Sequence, residues 1–130
     1  MTILGLGVDV VEINRFKKIK NNKKIIKRIF TTYENRYCEN KNKILCFAKR
    51  FAAKEAAAKA LGTGFRKGVY WKDLEVINLP SGKPSMNFYG ESKKRLDSLM
   101  PKNTVPSINL SITDEFPYAQ AIVTINADNL

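Results

Sequence analysis

The sequence predicts a single α+β domain, and three observations support this prediction. A chain of 130 residues is the size of one ordinary domain, and it can bury roughly two-thirds of the surface that its unfolded form exposes. Several short segments have apolar residues at every second position, which is typical of strands, whereas residues 43–61 are rich in strong helix formers. We therefore expect residues 1–130 to form one domain in which a mainly antiparallel sheet packs against a long helix, in the order βαααββαββ.

The first elements follow from local patterns. Apolar residues alternate from Ile3 to Val10, which predicts a strand. A helical stretch from about residue 12 to residue 30 should break near Asn21 and Asn22, because asparagine favours turns. Thr31 and Glu34 then have the spacing of a capping box, which predicts the start of a short helix.

The long helix is predicted from Lys43 to Leu61, with Gly62 in the position of a left-handed C-terminal cap. Turn residues and β-branched residues define the remaining elements. These are a strand over 71–79, a return strand over 83–88, a short helix over 91–100, and two strands over 107–113 and 118–126.

The charge predicts an anionic partner. Twenty-three Lys and Arg residues against twelve Asp and Glu residues give a net charge of +11, which attracts anions over long range. Between Arg15 and Arg28 there are eight basic residues and no acidic one, so this segment is the expected docking surface. Charge alone leaves open a nucleic acid, a phosphorylated small molecule or an acidic protein.

Location and redox state are also predicted. The chain has no apolar stretch near the roughly 20 residues that a membrane span needs, and it shows no export signal, so we expect a cytoplasmic protein. We expect Cys38 and Cys46 to be reduced, because eight residues along one helix would separate them by about 12 Å.

The chain contains no histidine. The side chain that most often transfers protons near neutral pH is therefore missing. A general base must be a carboxylate, a lysine, metal-bound water or the substrate itself.

Asp9 is the first candidate for chemistry. It shares a strand face with Gly5 and Gly7, which leaves the surface beside its carboxylate open to a ligand or to another backbone. A Gly-x-Gly-x-Asp pattern is weak by itself. Close packing against the glycines is the more frequent explanation for such a pattern.

Glu55 is the second candidate. On the long helix it continues a stripe formed by Phe47 and Phe51, so it lies on an apolar face and needs a partner. The alternative is an ordinary ion pair with Lys59 one turn later, worth a few tenths of a kcal/mol. That alternative does not explain the aromatic alignment.

Cations surround this glutamate at Arg50, Lys54 and Lys59. Mg²⁺ usually binds one or two protein carboxylates together with substrate phosphate oxygens, and nearby cations neutralise the remaining charge. The pattern therefore suits a metal–phosphate complex, although solvated lysines on a basic protein are about as probable an explanation.

Four segments carry a family resemblance. GLGVDVVEINRF and RFAAKEAAAKALGTGF resemble, in order and separation, the two signature segments of the AcpS-type phosphopantetheinyl transferases, and the later SGKP and SITDEFPYAQAIV are similar to further blocks of that family. They occupy residues 5–16, 50–65, 81–84 and 111–123. The resemblance spans nearly the whole chain.

The resemblance implies the 4'-phosphopantetheinyl transferase fold and a homotrimer with active sites at subunit interfaces. It also implies transfer of phosphopantetheine from coenzyme A to a serine of apo acyl carrier protein, in fatty acid biosynthesis, with release of adenosine 3',5'-bisphosphate. Magnesium would be the cofactor, with Asp9 and Glu55 as its ligands, and Lys59 would contact phosphate. These three residues would form the catalytic group.

Other roles follow from the same resemblance. Arg15 matches an arginine that engages the carrier protein, and because carrier proteins are acidic, Lys18, Lys24 and Arg28 are further candidate contacts. The positions that match the coenzyme A side of the site are Arg50, Lys54, Lys59, Gly62, Gly82, Lys83, Pro84, Ser111, Ile112 and Thr113.

The sequence departs from the family at two positions. Many members have histidine where this chain has Asp114, and often where it has Asn109, so the nucleotide contacts there differ. Without a histidine base, we hypothesise that Asp9, or a water molecule beside the metal, accepts the serine proton.

Two rival functions fit the sequence less well. A nucleic-acid-binding module would suit the charge, but the sequence has no recognition-helix motif, no aromatic RNP-like strand and no zinc spacing. A catalytically inactive trimeric scaffold of the same fold is disfavoured because Asp9, Glu55 and Lys59 are all present.

Overall fold

The computed structural model describes residues 1–130 as five strands and five helices with two short 3-10 turns. The elements are β1 (Thr2–Glu12), a 3-10 turn (Ile13–Arg15), α1 (Phe16–Ile19), α2 (Lys23–Ile29), α3 (Thr32–Cys38), α4 (Lys43–Ala60), a second 3-10 turn (Trp71–Asp73), β2 (Leu74–Asn78), β3 (Pro84–Phe88), α5 (Gly90–Leu99), β4 (Thr104–Glu115) and β5 (Tyr118–Asn129). The predicted α+β class is confirmed. The first predicted helical stretch divides into α1 and α2.

All strand pairing is antiparallel. The main sheet has the order β1-β5-β4, and β2 and β3 form a separate hairpin. Helix α4 lies on one face of the main sheet, where Ala121, Val123 and Ile125 of β5 are buried. The buried apolar side chains form one contiguous core. No helix in the chain combines the length and the apolar character that a membrane crossing requires.

The glycine face of β1 contacts α4. A Cβ atom added to Gly5 would collide with the carbonyl oxygen of Ala60, and one added to Gly7 would collide with that of Ala56. The glycines therefore allow the α4 backbone to pack directly against the strand, which is the close-packing explanation given above for the Gly-x-Gly-x-Asp pattern. Only Asp9, farther along the same face, remains for chemistry.

Helix ends follow the predicted signals. The Thr31 hydroxyl accepts a hydrogen bond from the Glu34 amide at 3.2 Å, and the Glu34 carboxylate accepts one from the Thr31 amide at 2.9 Å, so the capping box is confirmed. Gly62 has φ +79° immediately after α4, in the left-handed region that glycine occupies without strain. Asn22 caps α2 through a hydrogen bond to the Ile25 amide.

The predicted thiols are instead a disulfide. Cys38 ends α3 and Cys46 lies in the first part of α4, with their Cα atoms 5.6 Å apart and their sulfur atoms bonded. The expectation of reduced cysteines assumed one continuous helix. It was wrong because a tight turn between the two helices brings the residues together.

The strand predicted from residue 71 begins later, at Leu74. Trp71 lies in the preceding 3-10 turn, and the carbonyl oxygens of Trp71 and Leu74 both accept hydrogen bonds from the Lys54 ammonium, at 2.9 and 2.8 Å. A long-range side-chain contact therefore shapes this entry to β2, and local strand propensity could not indicate it.

Replacing Gly7 with alanine tests the contact between β1 and α4. We expect Gly7→Ala to lower the free energy of unfolding by about 2 kcal/mol or more, because the new Cβ must displace the α4 backbone. Ser98→Ala on the exposed side of α5 is the control and should change stability by about 0.5 kcal/mol or less. Chemical denaturation measures both, and equal stability of the two variants would contradict the packing described.

Candidate functional site

The contact between β1 and α4 places Asp9 beside Lys59. The Lys59 ammonium donates to the Asp9 carboxylate at 3.0 Å and to the carbonyl oxygen of Val8 at 3.1 Å. The Asp9 side chain is 17% exposed and that of Lys59 is 53% exposed. The pair therefore lies at the rim of the sheet, open to solvent on one side.

Glu55 lies one turn before Lys59 and is half-buried. Burial raises the pKa of the Glu55 carboxyl, and the nearby negative charge of Asp9 raises it further. Lys59, Arg15 and the indole of Trp71 act in the opposite direction, although the indole nitrogen forms no hydrogen bond of standard geometry. The carboxylates of Asp9 and Glu55 therefore lie close enough to repel each other, with the cations Lys59 and Arg15 nearby.

This pair fits a divalent cation. Two carboxylates that repel each other would both be stabilised by a cation between them, and Mg²⁺ is commonly bound by one or two carboxylates with the remaining positions left to water or substrate. No group of three or more His, Cys, Asp or Glu side chains converges anywhere in the chain. A metal ion bound here would therefore have at most two carboxylate ligands from this chain, which leaves positions for water or a substrate.

A cavity of about 500 Å³ lies beside the amino-terminal half of α4. Its volume is within the range of small-molecule sites. The lining combines cations with neutral polar and apolar groups and includes four of the predicted coenzyme A positions, Arg50, Gly82, Pro84 and Ile112. The full lining is Tyr37, Lys41, Asn42, Leu45, Cys46, Lys49, Arg50, Val76, Asn78, Gly82, Pro84 and Ile112.

Arg50 is held rigidly at this cavity. Its guanidinium donates to Asn78 Oδ1 at 2.7 Å and to Cys46 Sγ at 3.5 Å, and it lies over the Tyr37 ring with its carbon 4.0 Å from the ring centroid. Burial lowers the pKa of Arg50. Its Nε–H has no partner, so one buried donor remains for a ligand.

The predicted coenzyme A positions do not all meet in one place. Arg50 and Gly62 are separated by twelve residues, which corresponds to about 18 Å along a helix axis. Ser111 and Thr113 are exposed on the sheet face opposite α4, whereas Ile112 faces the cavity. Within one chain, the predicted coenzyme A positions therefore lie on both faces of the main sheet and do not form a single site.

The structure gives Lys54 a different role from the predicted contact with coenzyme A. Its side chain is completely buried, forms an ion pair with Glu34 at 2.7 Å and donates to two backbone carbonyls. Burial lowers the pKa of Lys54, and Glu34 opposes this shift. All three ammonium hydrogens have protein acceptors, so the expected coenzyme A contact by Lys54 has no support in this geometry.

The two departures from the family pattern lie in different settings. Asp114 forms an ion pair with Lys49 at 3.3 Å, and both side chains are about one-third exposed. Asn109 is exposed on the sheet face opposite α4. Asp114 therefore forms an ion pair with Lys49 of the cavity lining, which a neutral histidine at this position could not do.

The predicted partner residues are accessible. Arg15, Lys18, Lys24 and Arg28 are all exposed on the turn and helices that follow β1. The Arg15 guanidinium also lies over the ring of Phe51, 5.6 Å from its centroid. Arg15 is thus the member of this set nearest to the acidic pair.

Sequence patterns missed part of the cavity. Lys41, Lys49 and Asn78 line it, but none was predicted as a site residue. Lys49 precedes Arg50 directly, and this tandem of basic residues was the one available signal. Asn78 reaches the cavity only through the pairing of β2 with β3, which no local pattern specifies.

Comparisons with known proteins agree with one another. Residues 5–119 match the family described as the 4'-phosphopantetheinyl transferase superfamily. A relative from Rhodopseudomonas palustris named holo-(acyl-carrier-protein) synthase is 46% identical, covering 96% of this chain and 95% of the relative. One of the same name from Brucella ovis is 48% identical, with 96% of each chain covered.

Solved structures with the same fold include the synthase AcpS from Neisseria meningitidis, with a TM-score of 0.82, 30% identity, and coverage of 96% of this chain and 99% of that one. A synthase from Bacillus anthracis, described as a complex with CoA (3',5'-ADP), has a TM-score of 0.78 and 32% identity, with 98% and 100% coverage.

The buried ion pair gives a test of the role of Lys54. Glu34→Gln should reduce the free energy of unfolding by about 3 kcal/mol, because it leaves the buried ammonium without its counter-charge. Asp97→Asn breaks the pair Lys93–Asp97, which has the same 2.7 Å separation but is half-exposed, and should cost about 0.5 kcal/mol or less. Thermal and urea unfolding compare the two, and an equally small loss for Glu34→Gln would refute a structural role for Lys54.

Proposed function

This chain belongs to the 4'-phosphopantetheinyl transferase superfamily, and we propose that it acts as a holo-(acyl-carrier-protein) synthase. It would transfer 4'-phosphopantetheine from coenzyme A to a serine of apo acyl carrier protein and release adenosine 3',5'-bisphosphate. The observation that carries the proposal is the cluster of Asp9, Glu55 and Lys59. This cluster combines two interacting carboxylates with an ammonium group at the junction of β1 and α4.

The cavity beside Arg50 is the proposed site for the nucleotide part of coenzyme A. Its exposed and half-exposed cations, Lys41 and Lys49, suit phosphate groups, and the unpartnered Nε–H of Arg50 supplies a further donor. The related Bacillus anthracis and Helicobacter pylori structures are described as complexes with coenzyme A. Gly82 and Pro84 form the wall opposite α4, and Lys83 extends into solvent next to them.

Asp9 and Glu55 are the proposed ligands of Mg²⁺. When bound, the metal would supply charge neutralisation and orientation to the diphosphate of coenzyme A. Lys59, already beside Asp9, would offset the negative charge that develops on the transferred phosphate.

The chemical step is a substitution at phosphorus. The serine oxygen of the carrier protein forms a bond to the phosphorus that bears pantetheine, and the bond from that phosphorus to the bridging oxygen breaks. The electron pair leaves with adenosine 3',5'-bisphosphate. Since the chain has no histidine, Asp9 is the group that we propose to accept the serine proton.

The basic turn and helices after β1 are proposed to bind the carrier protein. Arg15 is close enough to Glu55 to lower the pKa of that carboxyl, Lys18 is exposed on α1, and Lys24 and Arg28 lie one helical turn apart on α2. Acyl carrier proteins are acidic, so opposite charge would accelerate encounter and fix orientation. The placement of Arg15 over Phe51 links this surface to the catalytic cluster.

A homotrimer with shared active sites is also proposed. The sheet face opposite α4 exposes a row of apolar side chains that is unusual for an isolated domain. Leu6, Val8, Val10 and Ile122 on that face are 63%, 46%, 55% and 43% exposed. Ser111 and Thr113 lie on the same face. In the proposed trimer they would contact the coenzyme A that a neighbouring subunit binds, which would explain why the predicted contacts do not meet within one chain.

The rival functions receive less support. The relatives are named as synthases over nearly their full length, and none of the comparisons supports a nucleic-acid-binding module. We propose that the protein works in the cytoplasm, in fatty acid biosynthesis, because its protein substrate would be the carrier of that pathway.

A transfer assay tests this function. The protein, incubated with apo carrier protein, coenzyme A and Mg²⁺, should produce a phosphopantetheine adduct detectable by mass spectrometry, and Asp9→Asn should slow its formation by about a hundredfold or more through loss of the base and metal ligand. The matched control is Asp97→Asn, an equal change on an exposed helix, which should leave the rate unchanged. Absence of an adduct with any divalent metal would exclude the synthase function, and full turnover by Asp9→Asn would remove the role assigned to that carboxylate.

A further inference from the structure

A second cavity, distinct from the one beside Arg50, has a strongly basic lining. It has a volume of about 460 Å³ and lies between α2, α3, the start of α4 and the second 3-10 turn. The two cavities have no lining residue in common. The second cavity, which we term the α2–α3 groove, is lined by Lys20, Lys23, Ile26, Lys27, Phe30, Thr32, Asn35, Arg36, Glu39, Lys43, Phe47 and Lys72.

The charges of the groove are not neutralised by the protein. Six of its lining residues are cationic and only Glu39 is acidic. None of the six cations belongs to an ion pair or donates a side-chain hydrogen bond, whereas Lys49, Lys54, Lys59, Lys93 and Lys94 elsewhere all have acidic partners. Like charges around one concavity repel each other, so a bound anion would stabilise the fold.

The geometry favours a compact anion over a macromolecule. The cations come from five separate segments and line one concave space, so they can converge on a single group that carries several negative charges. The aromatic residues of the groove, Phe30 and Phe47, are only 1% and 4% exposed, so neither offers a ring on which a nucleic acid base could stack.

The groove also differs from the proposed carrier-protein surface. Lys23 and Lys27 line the groove, whereas the proposed partner contacts on α2 are Lys24 and Arg28, each displaced by about 100° around the helix axis. The two sets therefore lie on different sides of α2, and an occupied groove would leave the carrier-protein surface accessible.

We propose that the α2–α3 groove is a binding site for a small anion with several phosphate charges, separate from the coenzyme A cavity. The source could be a free polyphosphate or the phosphate chain of a nucleotide, and recognition is through phosphate in either case. Lys27 of α2 and Arg36 of α3 are the paired contacts across the groove.

Calorimetric titration and thermal unfolding with inorganic tripolyphosphate and with ATP test this site. The double variant Lys27→Gln/Arg36→Gln should bind both probes at least about tenfold more weakly and lose most of the anion-induced rise in Tm, since two charged hydrogen-bond donors are removed. The control Lys94→Gln/Lys102→Gln removes the same charge from residues outside every cavity and should bind within about twofold of wild type.

Two results would overturn the proposal. One is equal weakening in the groove variant and the control, which would show only general attraction to a basic protein. The other is a raised Michaelis constant for coenzyme A together with weaker tripolyphosphate binding in the groove variant, which would place the anion in the coenzyme A cavity. We expect the groove variant to retain the wild-type Michaelis constant for coenzyme A, and a cooperative unfolding transition without added anion shows that the variant is folded.

Discussion

The close contact between strand β1 and helix α4 is the constraint on which the proposed catalytic site depends. It exists because Gly5 and Gly7 have no side chains, so the backbone at Ala56 and Ala60 can lie directly against the strand. Any Cβ at these positions would push the helix away. The same strand face continues to Asp9, and the same helix carries Lys59, so this contact sets their 3.0 Å separation. The glycines therefore act through geometry, and they need not touch a substrate.

The opposite side of α4 is fixed by charge. The buried ammonium of Lys54 connects α4 to Glu34 of α3 and to the carbonyl oxygens that begin β2, and the Glu34 carboxylate also accepts a hydrogen bond from the Val76 amide. Such a pair adds little stability relative to a well-packed apolar core, but it tolerates few alternative arrangements. It holds the β2–β3 hairpin, and hence Asn78, against Arg50. One helix thus organises both the acidic cluster and the cavity.

Local patterns predicted the element types well because capping, alternation and helix propensity act over a few residues, as at Thr31 and Gly62. They failed where distant segments meet. The disulfide was missed because the turn between α3 and α4 brings Cys38 and Cys46 together. Lys54 was assigned to coenzyme A because no local pattern indicates its ion pair with Glu34, twenty residues earlier in the chain. Asp9 and Glu55 were identified through a family resemblance, since neither local pattern was specific. The cavity lining at Asn78 requires tertiary structure and had no sequence signal.

We propose that the active sites are shared between neighbouring subunits, so that the acidic cluster of one subunit works with the cavity of the next. Mixing two inactive variants tests it: Asp9→Asn lacks the cluster's carboxylate, and Lys49→Glu reverses a cation of the cavity. If sites are shared around a closed ring, randomly mixed oligomers should regain about one quarter of the wild-type transfer activity, because each site needs one intact partner of each kind. Activity no higher than that of the separate variants, in a sample whose mixed oligomers are verified by native mass spectrometry, would contradict shared sites.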